Sequence, residues 1–157
     1  MSAGVVTACE PQSRELLLGM GRWLKVNGEA IFNTRPWLVY GEGPTKMAKS
    51  GTFSEHAEVQ YTAQDLRFTR SKDGKTFYCI VMDRPEKPVR LESVKAVPST
   101  GAEIVLLGTD KPCAFSVDQA GHLTIDPPQI DVTDEALDAA YVFRLKGFEL
   151  SLSETDK

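Results

Sequence analysis

From residue 66 onward the chain is a succession of short runs that alternate apolar and polar residues. Turn-forming residues separate the runs, and no helical period intervenes. The runs are 66–69, 76–82, 89–94, 103–107, 114–117, 123–126 and 141–145, with 148–150 as an extension of the last. Asp73-Gly74 marks one tight turn, Arg84 to Pro88 a proline-containing loop, Gly108 a stop, and Asp118 to Gly121 another turn. Strands at such spacing have to pair antiparallel, because parallel pairing needs a long crossover between them. The expected fold is therefore mostly β, an antiparallel sandwich or barrel, taken as an antiparallel β-sandwich of about eight strands over residues 29–157. Residues 134–140 fit either a helical turn or a loop before the last strand.

One helix is expected ahead of the sheet, over residues 13–27. Leu16, Leu17, Met20, Trp23 and Leu24 recur at three- and four-residue spacing and give one apolar stripe. Pro11 can open the helix, Ser13 is a candidate N-cap, and Asn27-Gly28 is expected to stop it through positive φ. Gly19 and Gly21 each cost about 1 kcal/mol relative to Ala, so the helix needs something to pack against. Two units follow: residues 1–28, an N-terminal segment with the helix, and residues 29–157, the sandwich. Beyond the helix, Pro36 favours extended or turning chain, 41–44 is a turn, and 46–56 reads as a polar surface loop.

Composition excludes several function classes. The 157 residues hold 41% hydrophobic and 25% charged side chains, ordinary values for a globular domain. Net charge is −4 with Lys and Arg scattered singly, which argues against nucleic acid and against a polyanion partner. No stretch approaches the roughly 20 apolar residues of a membrane helix, so no membrane partner is expected. Residues 1–6 lack the pattern of a signal peptide and read as a cut rather than as a domain start. Cys9, Cys79 and Cys113 form neither a CxxC pair nor a disulfide framework. Cys79 sits in an apolar run as a small hydrophobe.

Candidate chemistry is sparse. His56 and His122 have no His or Cys neighbour at metal-ligand spacing. The acidic cluster Asp131, Asp134, Glu135 and Asp138 lacks the spacing of a calcium loop and reads as a solvated loop. Phosphate-binding glycine loops and the GxSxG elbow are absent from the sequence. No two carboxylates stand out among 22 Asp and Glu as a glycosidase pair. Catalytic residues, cofactor and metal are therefore all assigned as none. Trp37, Tyr40 and Tyr61 are the candidates for a sugar-stacking platform, against core packing as the ordinary use of such rings.

Residues 20–37, MGRWLKVNGEAIFNTRPW, resemble a segment of glycoside hydrolase family 29 α-L-fucosidases. In that family a GxWLxxNGEAIY-type motif ends the catalytic barrel and a GTRPW-type segment follows; here Phe32 replaces Tyr and Asn33 replaces Gly. The likeness continues through 40–45, through 66–69 and 76–81, and through 105–108 and 140–145. Residues 81–85 depart from the family's LGWP, with Arg84 in place of an aromatic, and residues 3–7 are similar to a barrel DGxI tail with Ala3 for Asp.

The resemblance implies the last barrel helix plus the C-terminal β-sandwich of a fucosidase. In the family an Asp nucleophile and a second acidic residue hydrolyse α-L-fucosyl linkages with retention, both supplied by the barrel. No residue of this chain matches the nucleophile motif, so no catalytic role carries over. The implied role is a non-catalytic accessory domain, with a carbohydrate-binding module for fucosylated glycans as the alternative and an independent enzyme as the third reading. The helix face of Leu16, Met20, Trp23 and Leu24 should then find a partner: the sandwich, the parent's barrel or a second copy. The family setting implied is secreted, periplasmic or lysosomal.

Overall fold

A computed structural model describes residues 11–45, 60–109, 111–129 and 139–153. Helix α1 (Pro11–Asn27) comes first and runs into a single 3-10 turn, Gly28–Ala30. Eight strands follow: β1 (Thr34–Glu42), β2 (Leu66–Ser71), β3 (Thr76–Val81), β4 (Val89–Leu106), β5 (Lys111–Pro112), β6 (Ala114–Val117), β7 (His122–Asp126) and β8 (Tyr141–Leu152). The expected helix and mostly antiparallel β fold are both present.

Several local expectations are corrected. Proline is the first helical residue, where its fixed φ and missing N–H cost nothing, so Ser13 lies inside the helix and does not cap it. Asn27 keeps φ −105 and the chain tightens into the 3-10 turn. The residue that adopts positive φ is Asn33, φ 58, in the turn before β1. Runs 89–94 and 103–107 are one long strand, β4, and 148–150 is continuous with β8. The short β5 has no sequence signature. The expected loop over 46–56, His56 and residues 134–138 lie outside the described residues.

The strand order is β1-β2-β3-β8-β4-β7-β6, with β5 paired to β4, and every ladder is antiparallel. The two long strands make a two-layered body from one continuous ladder. Register along β4 and β8 slips between Pro98 and Glu103, so Val94 to Pro98 pair with the end of β8 and Glu103 to Leu106 with its start. A bulge of this kind bends both strands and lets them serve two layers. One apolar cluster then joins Phe68, Phe77 and Cys79 on β2 and β3 with Leu123 and Ile125 on β7 and with Leu91, Val94 and Leu106 on β4.

Strand β3 is buried on both faces. Phe77, Cys79 and Val81 face the main core, while Tyr78 and Ile80 join a second cluster with Ala30, Leu107, Ala140 and Val142, against which Trp23 of α1 packs. The helix end and the 3-10 turn thus cover the outer face of β3 and β8. Burial pushes the Cys79 and Tyr78 groups up from their ordinary ionisation ranges, with the Glu29 charge adding to the effect at Tyr78.

Gly41 shows how closely β1 and β2 approach. A Cβ there would collide with the Leu66 carbonyl oxygen and come within 3.0 Å of Arg67 Cδ, at the point where pairing resumes after the slip in β1. Gly41→Ala should lower stability by roughly 2 kcal/mol. Urea unfolding checks it: the midpoint should fall with the slope unchanged.

Candidate functional site

Three side-chain groupings carry potential chemistry, and they lie in different places. The first is the outer face beneath α1. The Trp23 indole Nε1–H donates to the Ala140 carbonyl at 2.8 Å, fixing the C-terminal half of the helix on the sheet. Thr69 Oγ1 donates to the Ala30 carbonyl at 2.7 Å, and Arg144 Nη1 pairs with Glu29 at 3.2 Å, so the 3-10 turn is tied down as well. The helix is open from its start to its middle: Leu16 is 67% exposed, Leu17 61% and Met20 53%. Leu24 is half-buried. Of the four stripe residues named from sequence, only Trp23 reaches an apolar cluster of the sheet.

The second grouping surrounds Arg67. Its guanidinium lies 5.6 Å from the Tyr40 ring centre and 5.4 Å from that of Tyr61, while Nη1 donates to the Leu66 carbonyl at 2.7 Å. The structure brings Tyr40 and Tyr61 to one cation, which sequence reading missed because the charge comes from a strand position read only as alternating. Trp37 is elsewhere. It is largely buried, edge-on to Phe68 at 6.1 Å and Phe77 at 5.3 Å, with only an edge reaching the small opening beside Arg70.

Nearby, two carboxylates hold loops rather than ligands. Asp65 accepts hydrogen bonds from the amide and hydroxyl of Thr45 and from the amide and hydroxyl of Thr62. Burial alone would raise its pKa; these four bonds outweigh burial and hold the carboxyl below the ordinary range. Glu42 accepts from the Glu92 amide at 2.8 Å and from the Ser93 amide at 2.6 Å and hydroxyl, fastening the end of β1 to β4.

The third grouping has the residue types of a hydrolytic triad. Asp118 Oδ2 is 3.4 Å from His122 Nδ1, and His122 Nε2 is 3.1 Å from Ser153 Oγ. Arg90 decides what this arrangement does. Its Nη2 lies 3.1 Å from the same Nδ1 and 2.8 Å from Asp118 Oδ2, and a guanidinium can only donate. With Nδ1 accepting from Arg90, the nearer of its two neighbours, the proton is assigned to Nε2, which then donates to Ser153. A general base needs the opposite tautomer. Ser153 is also only 6% exposed, so its hydroxyl is largely closed off from solvent. The cluster is a structural tie that holds the end of β8 to β4 and β7. Arg90 bonding holds the Asp118 carboxyl far below the usual carboxylate range.

Among the described residues no group of three His, Cys, Asp or Glu is placed to hold a metal ion, and no helix is long and apolar enough to cross a membrane.

Comparison with known proteins gives one consistent result. A family model described as the alpha-L-fucosidase C-terminal domain matches residues 60–146. The chain is 30% identical over 138 residues to the tissue alpha-L-fucosidase of Homo sapiens, covering 87% of this chain and 25% of that protein. It is 26% identical over 138 residues to an alpha-L-fucosidase of Branchiostoma floridae, covering 87% and 26%. Among solved structures it resembles a Thermotoga maritima alpha-fucosidase, with TM-score 0.56 and 20% identity over 87% of this chain and 26% of that one. A Bacteroides thetaiotaomicron alpha-L-fucosidase gives TM-score 0.55 and 13% identity over 90% and 25%. These structural likenesses concern the fold. The chain spans about a quarter of the length of the curated relatives it matches.

Proposed function

Because this chain belongs to the α-L-fucosidase C-terminal domain family, we propose that it is the non-catalytic sandwich domain that buttresses the catalytic barrel of an α-L-fucosidase. The parent enzyme hydrolyses α-L-fucosyl linkages by a retaining double displacement, with nucleophile and acid both supplied by the barrel. The observation that carries the reading is the half-covered helix. Trp23 seats α1 on the sheet, yet Leu16, Leu17 and Met20 of the same helix stay open to solvent. An apolar stripe of this kind is the face by which one unit packs on another.

The groupings described above favour this role over a tyrosine platform for fucosylated glycans. Trp37 is core, and Tyr40 and Tyr61 share the Arg67 guanidinium. The Asp118, His122 and Ser153 cluster is wired as a tie, which supports the non-catalytic reading.

The test is reconstitution. The chain, added to a fucosidase barrel expressed without its own C-terminal domain, should form a saturable complex and raise the barrel's melting temperature. Leu16→Asp with Met20→Asp should abolish that complex and leave the chain's own stability within about 0.5 kcal/mol, since both positions are exposed. Equal binding by the double variant would sink the proposal. A dimer in light scattering that the same variant dissolves would assign the face to a second copy instead. The chain alone should leave an aryl α-L-fucoside intact, and turnover by it would overturn the non-catalytic reading.

A further inference from the structure

We propose that the open end of the sandwich between the β2–β3 hairpin and the β4–β8 bulge is a binding site for an acidic sugar residue, one carrying a carboxylate or a sulfate ester. The site differs in place and in ligand charge from the tyrosine pair at Arg67. It rests on the fucosidase-family reading only for the choice of a sugar as the molecule that brings the acid.

The sequence scatters its basic residues, but the sheet gathers three of them here. Arg35 on β1 and Arg70 on β2 are register partners, so they project on the same face directly opposite each other. Like charges so placed destabilise a sheet. Both are exposed, and among the described residues neither has a carboxylate at ion-pair distance. Lys75, from the hairpin, lines the same opening as Arg70. The acid nearest in sequence, Asp73, accepts from the Ser71 hydroxyl and the Lys75 amide, and its charge acts on Lys75. A chain of net charge −4 thus brings three cations to one end, of which Arg35 and Arg70 have no carboxylate at ion-pair distance among the described residues.

Beside these cations the bulge builds a shelf. The slip between Pro98 and Glu103 and the positive φ of Gly101 and Gly147 turn the two long strands aside, and Ser99 Oγ locks the fold-back by donating to the Gly147 carbonyl at 2.8 Å. The result is an opening of about 430 Å³ floored by Val97, Pro98 and Phe148, next to a smaller one of about 120 Å³ lined by Arg70, Phe77 and Phe148. Val97 is 64% exposed although apolar. The volume suits one or two sugar rings. Glu149 lines the larger opening together with Lys75. An acid group is drawn to Arg35, Arg70 and Lys75, while an apolar ring face lies on Phe148.

The experiment is a titration of the full chain, followed by calorimetry and by amide NMR shifts, with three probes: sialyllactose for a carboxylate, 6-sulfo-lactose for a sulfate ester, and lactose as the neutral control. Saturable binding of either acidic probe, at least tenfold tighter than lactose and weakening with added salt, is the expected result. The stronger of the two identifies the acid. Arg70→Gln should weaken that binding at least tenfold. In the absence of ligand it should melt no lower than the parent chain, because it relieves the Arg35 repulsion; a merely structural arginine would lose stability instead. Lactose binding as tightly as both acidic probes, no saturation by either below about 10 mM, or unchanged affinity in Arg70→Gln would overturn the proposal. These outcomes are independent of reconstitution with a barrel, so either proposal can fail alone.

Discussion

Trp37→Ala should remove about 3–5 kcal/mol of stability, a large share of what holds a domain of this size folded. The residue looked like a ligand platform from sequence, and the structure gives it a different task. Its ring packs edge-on against Phe68 and Phe77, which themselves stack at 5.4 Å, so three aromatic side chains from three strands close the core near the open end. Truncation would leave a cavity that two rigid rings cannot fill by relaxing. Thermal and urea unfolding measure it directly. Full retention of the melting temperature would show that the ring is not where the fold needs it.

Asp65→Ala should be the second large effect, about 3 kcal/mol at neutral pH. The carboxylate answers four donors from Thr45 and Thr62, and all four would lose their shared acceptor together. The site is crowded as well, since a Cβ at Gly43 would collide with Asp65. The sign of the pH dependence follows from the lowered pKa. A carboxyl with a depressed folded-state pKa stabilises fully above its unfolded pKa of about 3.9. That contribution is lost as pH falls through the folded value. The gap between wild type and Asp65→Ala should accordingly be constant from pH 5 to pH 8 and close below about pH 4. Unfolding midpoints across that range check it, and a gap that widened in acid would contradict the assignment.

How much of this could be read beforehand differs by element. The helix from its apolar period, the β2–β3 hairpin from Asp73-Gly74, and strands β6 and β7 from alternation around a turn are local signals written within about ten residues. The join of 89–94 to 103–107 was not visible, because Pro98 and Gly101 ordinarily punctuate strands. Here they form the bulge that lets β4 serve two layers. The helix cap was misplaced for a similar reason: Ser13 carries the right chemistry, but Pro11 already opens the helix.

The sites divide along the same line. Tyr40 and Tyr61 could be named from sequence, but Arg67 between them could not. Likewise Asp118, His122 and Ser153 are 35 residues apart from end to end, and Arg90, which bridges Asp118 and the histidine ring, is further still. The fate of the helix stripe also needed the fold, since Trp23 and Met20 share a face in sequence yet only one of them lies over β3.

By itself the amino-acid sequence determined the class of fold and the family, because periodicity, turn residues and the run from Met20 to Thr45 are local patterns that survive without knowledge of distant contacts. Only the tertiary structure decided which aromatics are core, which carboxylates are structural and where positive charge gathers. Each of those depends on strands far apart in the chain being brought to about 5 Å by the sheet, a distance no spacing along the chain records.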